Sequence, residues 1–222
     1  MGGPHVFPSD AMTPKPATLS ADLRRYTSSP KTYLRPFICP FDALLEMVPV
    51  GASVFDIGCG QGAWLTLVGQ HRRPSKVAGY DVEPFAVAEA SRLLATAFPG
   101  VPAKLQLWSE PGVPLDVSGY DIVTMIDVLH HVPPDQQQSI LDSTFRNMRR
   151  GSVLILKDID GASPLVWFNR LHDRVVSGAA GHELSSAKVV ADLTKAGFVV
   201  GAPQFRHMLF YPHFWCKAVK PN

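Results

Sequence analysis

The chain has 222 residues, 46% hydrophobic and 18% charged, with a mean hydropathy of +0.06. That is apolar material for one sizeable core with an N-terminal extension, and too little charge for a disordered chain. Twenty-one basic residues against nineteen acidic ones leave a net charge of +2, which argues against a protein that lives on phosphate backbones.

The basic pairs Arg24-Arg25, Arg72-Arg73 and Arg149-Arg150 lie far apart and read as solvated helix ends. Cys39, Cys59 and Cys216 make neither a disulfide framework nor a Cys-x-x-Cys zinc site. No apolar run approaches the roughly 18 residues of a membrane-spanning helix. The first twenty residues hold Pro4, Pro8, Pro14 and Pro16 without the apolar centre of a signal peptide. The expectation is a cytoplasmic enzyme or binding domain.

Residues 1–18 are rich in proline, glycine and serine without periodicity and read as a flexible arm. Residues 19–50 form a helical segment, with helices over Ala21–Ser28 and Phe37–Met47. In the second, Phe37, Phe41, Leu44, Leu45 and Val48 share one face, and Pro36 and Pro49 mark start and stop. From residue 51 onward short apolar runs alternate with helical stretches. Strands are expected at Ser53–Ile57, Lys76–Asp81, Ala103–Trp108, Tyr120–Ile126 and Ser152–Lys157, and helices at Gly62–Gln70, Pro84–Phe98 and Asp135–Arg149. These strand runs lack alternation, as in parallel strands buried on both faces. Beyond Asp160, Leu165, Phe168, Leu171 and Val175 recur at helical spacing within Ser163–Gly178. Ser185 or Ser186 can cap a helix that ends at Gly197, and Phe198–Phe205 and Phe210–Val219 read as two antiparallel strands. The fold class is α/β, doubly wound: a mostly parallel seven-stranded sheet with helices on both faces and the last strand antiparallel.

The most informative stretch is Val54-Phe55-Asp56-Ile57-Gly58-Cys59-Gly60-Gln61-Gly62, a buried strand running through three alternating glycines into a helix. Such a loop brings backbone against a ligand, and the helix N-terminus adds free N–H groups. A dinucleotide fingerprint can be read through Gly58, Gly60 and Ala63, with Asp81 about 20 residues on. Asp56 shifts the balance, because a carboxylate two residues before the first glycine suits a cationic amine rather than a pyrophosphate. Gly62 fits close approach by an amino-acid tail. Cys59 reads as a small buried filler rather than a nucleophile.

On these residues the chain resembles the class I S-adenosylmethionine-dependent methyltransferases of small-molecule type. Asp56–Gly62 matches their Asp-x-Gly-x-Gly-x-Gly motif, and Asp81 in Gly79-Tyr80-Asp81-Val82 matches the acid that ends the second strand. Tyr120–Val123 leading into Asp127–His131, the strand Val153–Leu156 and the Ala196-Gly197-Phe198 turn follow in the family's order. The resemblance implies S-adenosylmethionine as cofactor, with Gly58, Cys59, Gly60 and Gly62 along its methionine part and Asp56 near its ammonium. It places Asp81 and Val82 at the ribose and Asp127 and Val128 beside the methionine, and leaves the adenine to Ser109, Glu110 or backbone alone, since the family's adenine Asp is replaced by Ser109. Tyr26, Tyr33 and Arg35 are positioned by topology to cover the cofactor.

His130 and His131 follow the fourth strand, where open α/β sheets place their ligand crevice. The stretch from His130 to Asp135 resembles that of plant-type small-molecule O-methyltransferases, whose first histidine is the general base. That implies His130 as base, with His131 as the second candidate. Residues 160–184 fall where relatives carry a substrate lid, with Trp167 and His172 as candidate substrate contacts. Asp127, Asp158 and Asp160 can be imagined as metal ligands, but the Asp-Asn pair of metal-assisted catechol methyltransferases is absent and no metal is expected. The expected partner is a small-molecule methyl acceptor presenting oxygen, nitrogen or carbon, with neither nucleic acid nor membrane involved. An inactive cofactor-binding protein, an NAD-dependent dehydrogenase, and an RNA or protein methyltransferase are the alternatives.

Overall fold

A computed structural model describes residues 14–108, 115–167 and 181–222. Its first helix, α1 (Pro16–Arg24), begins within the stretch read as an arm and stops short of Ser28. Pro16 supplies a helical φ where its missing N–H costs nothing, and Leu19 and Leu23, one turn apart, are wholly buried. A short helix α2 (Pro30–Tyr33) follows. The helix expected over Phe37–Met47 is divided into a 3₁₀ turn (Arg35–Phe37) and α3 (Phe41–Glu46). Pro40 lies between them; it donates no hydrogen bond and disfavours a helical conformation at the residue before it. Phe37 therefore leaves the apolar face and is 43% exposed, whereas Phe41, Leu44, Leu45 and Val48 are buried.

The alternating part follows the expected order. It comprises β1 (Val54–Ile57), α4 (Ala63–Arg72), β2 (Val77–Asp81), α5 (Pro84–Ala97), β3 (Ala103–Leu107), β4 (Ile122–Ile126), α6 (Pro134–Asn147) and β5 (Val153–Ile159). After the insertion come α7 (Ser186–Ala196), β6 (Val199–Val200), β7 (Gln204–Met208) and β8 (Tyr211–Val219). Ser185 Oγ accepts from the Lys188 N–H at 3.2 Å to cap α7, and Gly197 closes it at φ 112°. The strand expected over Phe198–Phe205 is interrupted at Gly201-Ala202-Pro203. Val200 pairs with Ala218 and Gln204 with Trp215, so β6 and β7 lie end to end along β8 with one residue bulged out.

The sheet runs β3-β2-β1-β4-β5-β8-β6, the first five strands parallel and β8 antiparallel to β5. Phe55 and Ile57 of β1 join one hydrophobic layer and Val54 the other, so the sheet is buried on both faces. Edge strand β3 is the exception, with Ala103, Lys104 and Leu107 exposed. Strand order reverses between β1 and β4, which opens a crevice at their carboxyl ends. No helix among the described residues is long and apolar enough to cross a membrane. Ser109, Glu110 and His172, with most of the amphipathic stretch expected over Ser163–Gly178, lie outside the described residues.

Candidate active site

Gly58 and Gly60 carry the chain out of β1 with φ of 71° and 51°. A side chain at Gly58 would strike Val128, 2.5 Å from its Cβ; at Gly60 it would meet no protein atom within 4 Å. Gly60 thus presents bare backbone to open space, the geometry of a loop that a ligand lies against. Gly62 serves a different purpose from the one expected. It lines neither of the two cavities described below, and its absent Cβ makes room for Ala90 of α5, 3.0 Å away.

Asp56 is 3% exposed and accepts a 2.6 Å hydrogen bond from the Thr124 hydroxyl, which in turn accepts from the Trp64 indole at 3.1 Å. Burial pushes its carboxyl up to about 7, with the Thr124 bond acting in the opposite direction. Asp81, at the end of β2, takes the Gly60 N–H on one oxygen (2.8 Å) and the Glu83 N–H on the other (3.1 Å). Cys59 is buried and lines the cavity beside Gly60; burial raises its thiol far above the reactive range.

Asp127 follows β4 at φ 56°, a left-handed position for a residue with a side chain. Its carboxylate is bracketed by Lys157 Nζ and by Arg35 Nη2, the latter at 2.8 Å. Burial pushes this carboxyl up, but the two cations outweigh burial and hold it well below the usual carboxylate range. Lys157 is wholly buried near the end of β5. His213, 2% exposed on β8, is pushed down to about 2 by burial and by Lys157, and so is neutral.

Two cavities of about 590 Å³ each meet over Gly58, Asp81, Val82, Asp127 and His131. One continues over Asp56, Gly60 and Cys59 to Lys31, Thr32 and Arg35 of the N-terminal segment. The other runs past Val128 to Trp108 and Ile140. His131 is exposed and lines both. His130 lines neither: it is 4% exposed, its Nδ1 hydrogen-bonds Asp158, and its ring lies 4.0 Å from that of His131. The structure does not bring His130, expected as the general base, to either cavity: the dyad with Asp158 holds its ring in the protein. Trp167 is 59% exposed and lines neither cavity. Asp127, His130 and Asp158 offer ligand atoms within 4.8 Å of one another, but Lys157 and Arg35 already neutralise Asp127 and disfavour a cation. Asp160 turns away, accepting the Ser186 N–H at 3.0 Å.

Sequence reasoning missed Lys157, Thr124, His213 and Gln61. Gln61 Oε1 accepts from Ser29 Oγ at 3.0 Å and Thr32 Oγ1 at 2.8 Å, joining the glycine loop to the N-terminal segment. A signal existed for Lys157: a lysine inside an otherwise apolar strand run needs a buried partner.

A family described as a methyltransferase domain matches residues 32–202. The chain belongs to this methyltransferase family. A tRNA N(3)-methylcytidine methyltransferase of Drosophila melanogaster, Mettl2, is 29% identical over 134 residues, 53% of this chain and 40% of that protein. The chain thus spans less than half the length of this curated relative. The fold is that of magnesium protoporphyrin IX methyltransferase from Synechocystis PCC 6803, solved with bound SAH (S-adenosylhomocysteine), at TM-score 0.68 and 19% identity over 90% of this chain and 93% of that one. An S-adenosylmethionine-dependent methyltransferase from Mesorhizobium loti superposes at TM-score 0.64 and 15% identity, covering 80% and 95%. This methyltransferase is therefore of class I, with S-adenosylmethionine as cofactor, and a dehydrogenase is set aside. The bare backbone at Gly60 and the buried Asp56 fit that cofactor.

Proposed function

We propose that this methyltransferase transfers a methyl group in line to a small-molecule acceptor held beside Asp127 and His131. The observation that carries the reading is the recess itself: two joined cavities of about 590 Å³ each meet at these two residues, a volume suited to a cofactor and a small partner. The cofactor supplies an electrophilic sulfonium methyl. Asp56 holds its ammonium, Asp81 accepts from its ribose hydroxyls, and the segment 19–50 covers it through Thr32 and Arg35. His131, exposed in both cavities, takes the proton from a hydroxyl acceptor, and the His130–Asp158 dyad supports its ring from behind. Much of the rate comes from orientation and from keeping water out. Three buried free thiols suit a reducing compartment, and we place the protein in the cytoplasm.

The tRNA enzyme among the relatives favours a second reading, in which the acceptor is an RNA base. Against it stands the net charge of only +2. The test supplies methyl-labelled S-adenosylmethionine to the protein with a metabolite extract and with total tRNA. Label in the low-molecular-weight fraction supports the first reading; label in tRNA overturns it.

A further inference from the structure

The amino-acid end of S-adenosylmethionine carries two opposite charges on one carbon, and Asp56 answers only the ammonium. A carboxylate in a partly desolvated recess needs a cation or several N–H donors. Among the described residues, the cavity containing Asp56, Gly58 and Gly60 is lined by two permanent cations, Lys31 and Arg35. Arg35 is the better placed. Asp127 takes one bond from Nη2 at 2.8 Å, which tethers the guanidinium, and the side chain, about one-third exposed (32%), lines the cavity. A guanidinium carries five N–H donors in a planar fork matched to a carboxylate, so one bond to Asp127 leaves it capacity for a second anion.

Arg35 and Asp56 lie within electrostatic reach of one another but make no hydrogen bond to each other. An arginine and an aspartate that line one cavity and are not bonded to each other offer opposite charges to the two ends of a zwitterionic α-amino acid. Lys31 is exposed and lines the same cavity, so it adds attraction at longer range.

We infer that Arg35, assisted by Lys31, binds the α-carboxylate of the cofactor's methionine moiety, with Asp127 as the anchor that orients the guanidinium. The assignment rests on the S-adenosylmethionine reading above. It makes the N-terminal segment a ligand-binding wall and not only a cover.

Calorimetric titration with two ligands separates carboxylate recognition from mere packing. The first is S-adenosylhomocysteine; the second is its analogue with hydrogen in place of the α-carboxylate. Arg35→Met keeps an apolar stem of similar length and removes the fork. The expected result is about a 10- to 100-fold weaker affinity for S-adenosylhomocysteine and an affinity for the decarboxylated analogue changed by less than about 3-fold. Arg35→Lys should restore part of the loss, and Lys31→Met should cost about 2- to 5-fold on the carboxylate ligand alone. Equal losses for both ligands, or no loss for either, would overturn the assignment while leaving the cofactor reading intact. Wild-type protein that binds neither ligand would overturn both.

Discussion

The cofactor recess has two walls built in opposite ways. The inner wall is local: Gly58 and Gly60 turn at positive φ directly after β1, and Asp56 and Asp81 sit at the carboxyl ends of neighbouring parallel strands. The outer wall is assembled from afar. Ser29 and Thr32 reach Gln61 across 32 and 29 residues, His71 meets Asp22 across 49, and Arg35 meets Asp127 across 92. Backbone geometry makes the first wall rigid before any ligand arrives; a handful of side-chain bonds, each worth about 0.5–1.5 kcal/mol net, holds the second in place. The difference suggests that the inner wall sets which ligand binds and the outer wall sets how tightly it is enclosed.

The largest expected effect is on the inner wall. Gly60→Val should reduce S-adenosylhomocysteine affinity by more than about 100-fold, because its branched side chain would fill the space the ligand needs. A Cβ there meets no protein atom within 4 Å, although valine is strained at φ 51°; circular dichroism checks that the fold survives and calorimetry reads the affinity. Between the walls, His131→Ala should lower turnover on a hydroxyl acceptor by about 10²–10⁴ without weakening cofactor binding. Loss of the same size in His130→Ala with His131 intact would return the base to His130.

Asp81→Ala should cost tenfold or more in cofactor affinity, since it removes the acceptor that the proposed reading assigns to two ribose hydroxyls. Asp56 gives a pH test. Its carboxyl is lifted to about 7 in the unliganded protein, so at lower pH it is protonated and cannot pair with an ammonium. S-adenosylhomocysteine affinity should fall as pH drops through about 7, approaching tenfold per unit. The linkage for folding has the opposite sense. A carboxyl raised from 3.8 to about 7 by burial binds a proton more tightly in the folded state, so its contribution to stability declines as pH rises through that window. Asp56→Asn should therefore raise the unliganded melting temperature above pH 7 while weakening the ligand. The smallest effect belongs to the outer wall: Gln61→Ala should cost only about 3- to 10-fold in affinity, with faster proteolysis near residues 25–38.

How much of this was legible in the sequence follows the same division. The strand–glycine–helix pattern around Asp56–Gly62 and the acid at Asp81 are short-range signals, and the alternating elements around them follow the expected order along the chain. Boundaries slipped where proline decided the outcome: Pro16 started α1 earlier, Pro40 divided a helix, and Pro203 accompanies the break between β6 and β7. Gly62 looked like a ligand contact because its spacing matched, but its reason is the packing of α5. The resemblance ranks His130 ahead of His131; only the structure shows His130 buried against Asp158, 28 residues away, and His131 exposed in both cavities. Arg35 was legible as part of a cover, but its pairing with Asp127 was not, because nothing local links residues so far apart.

The claim that the cofactor is gripped from both sides is tested most directly by amide hydrogen exchange with and without S-adenosylhomocysteine. Exchange should slow in the 58–62 loop and, in parallel, across residues 29–37. Slowing confined to the loop, with residues 29–37 unchanged at saturating ligand, would contradict it.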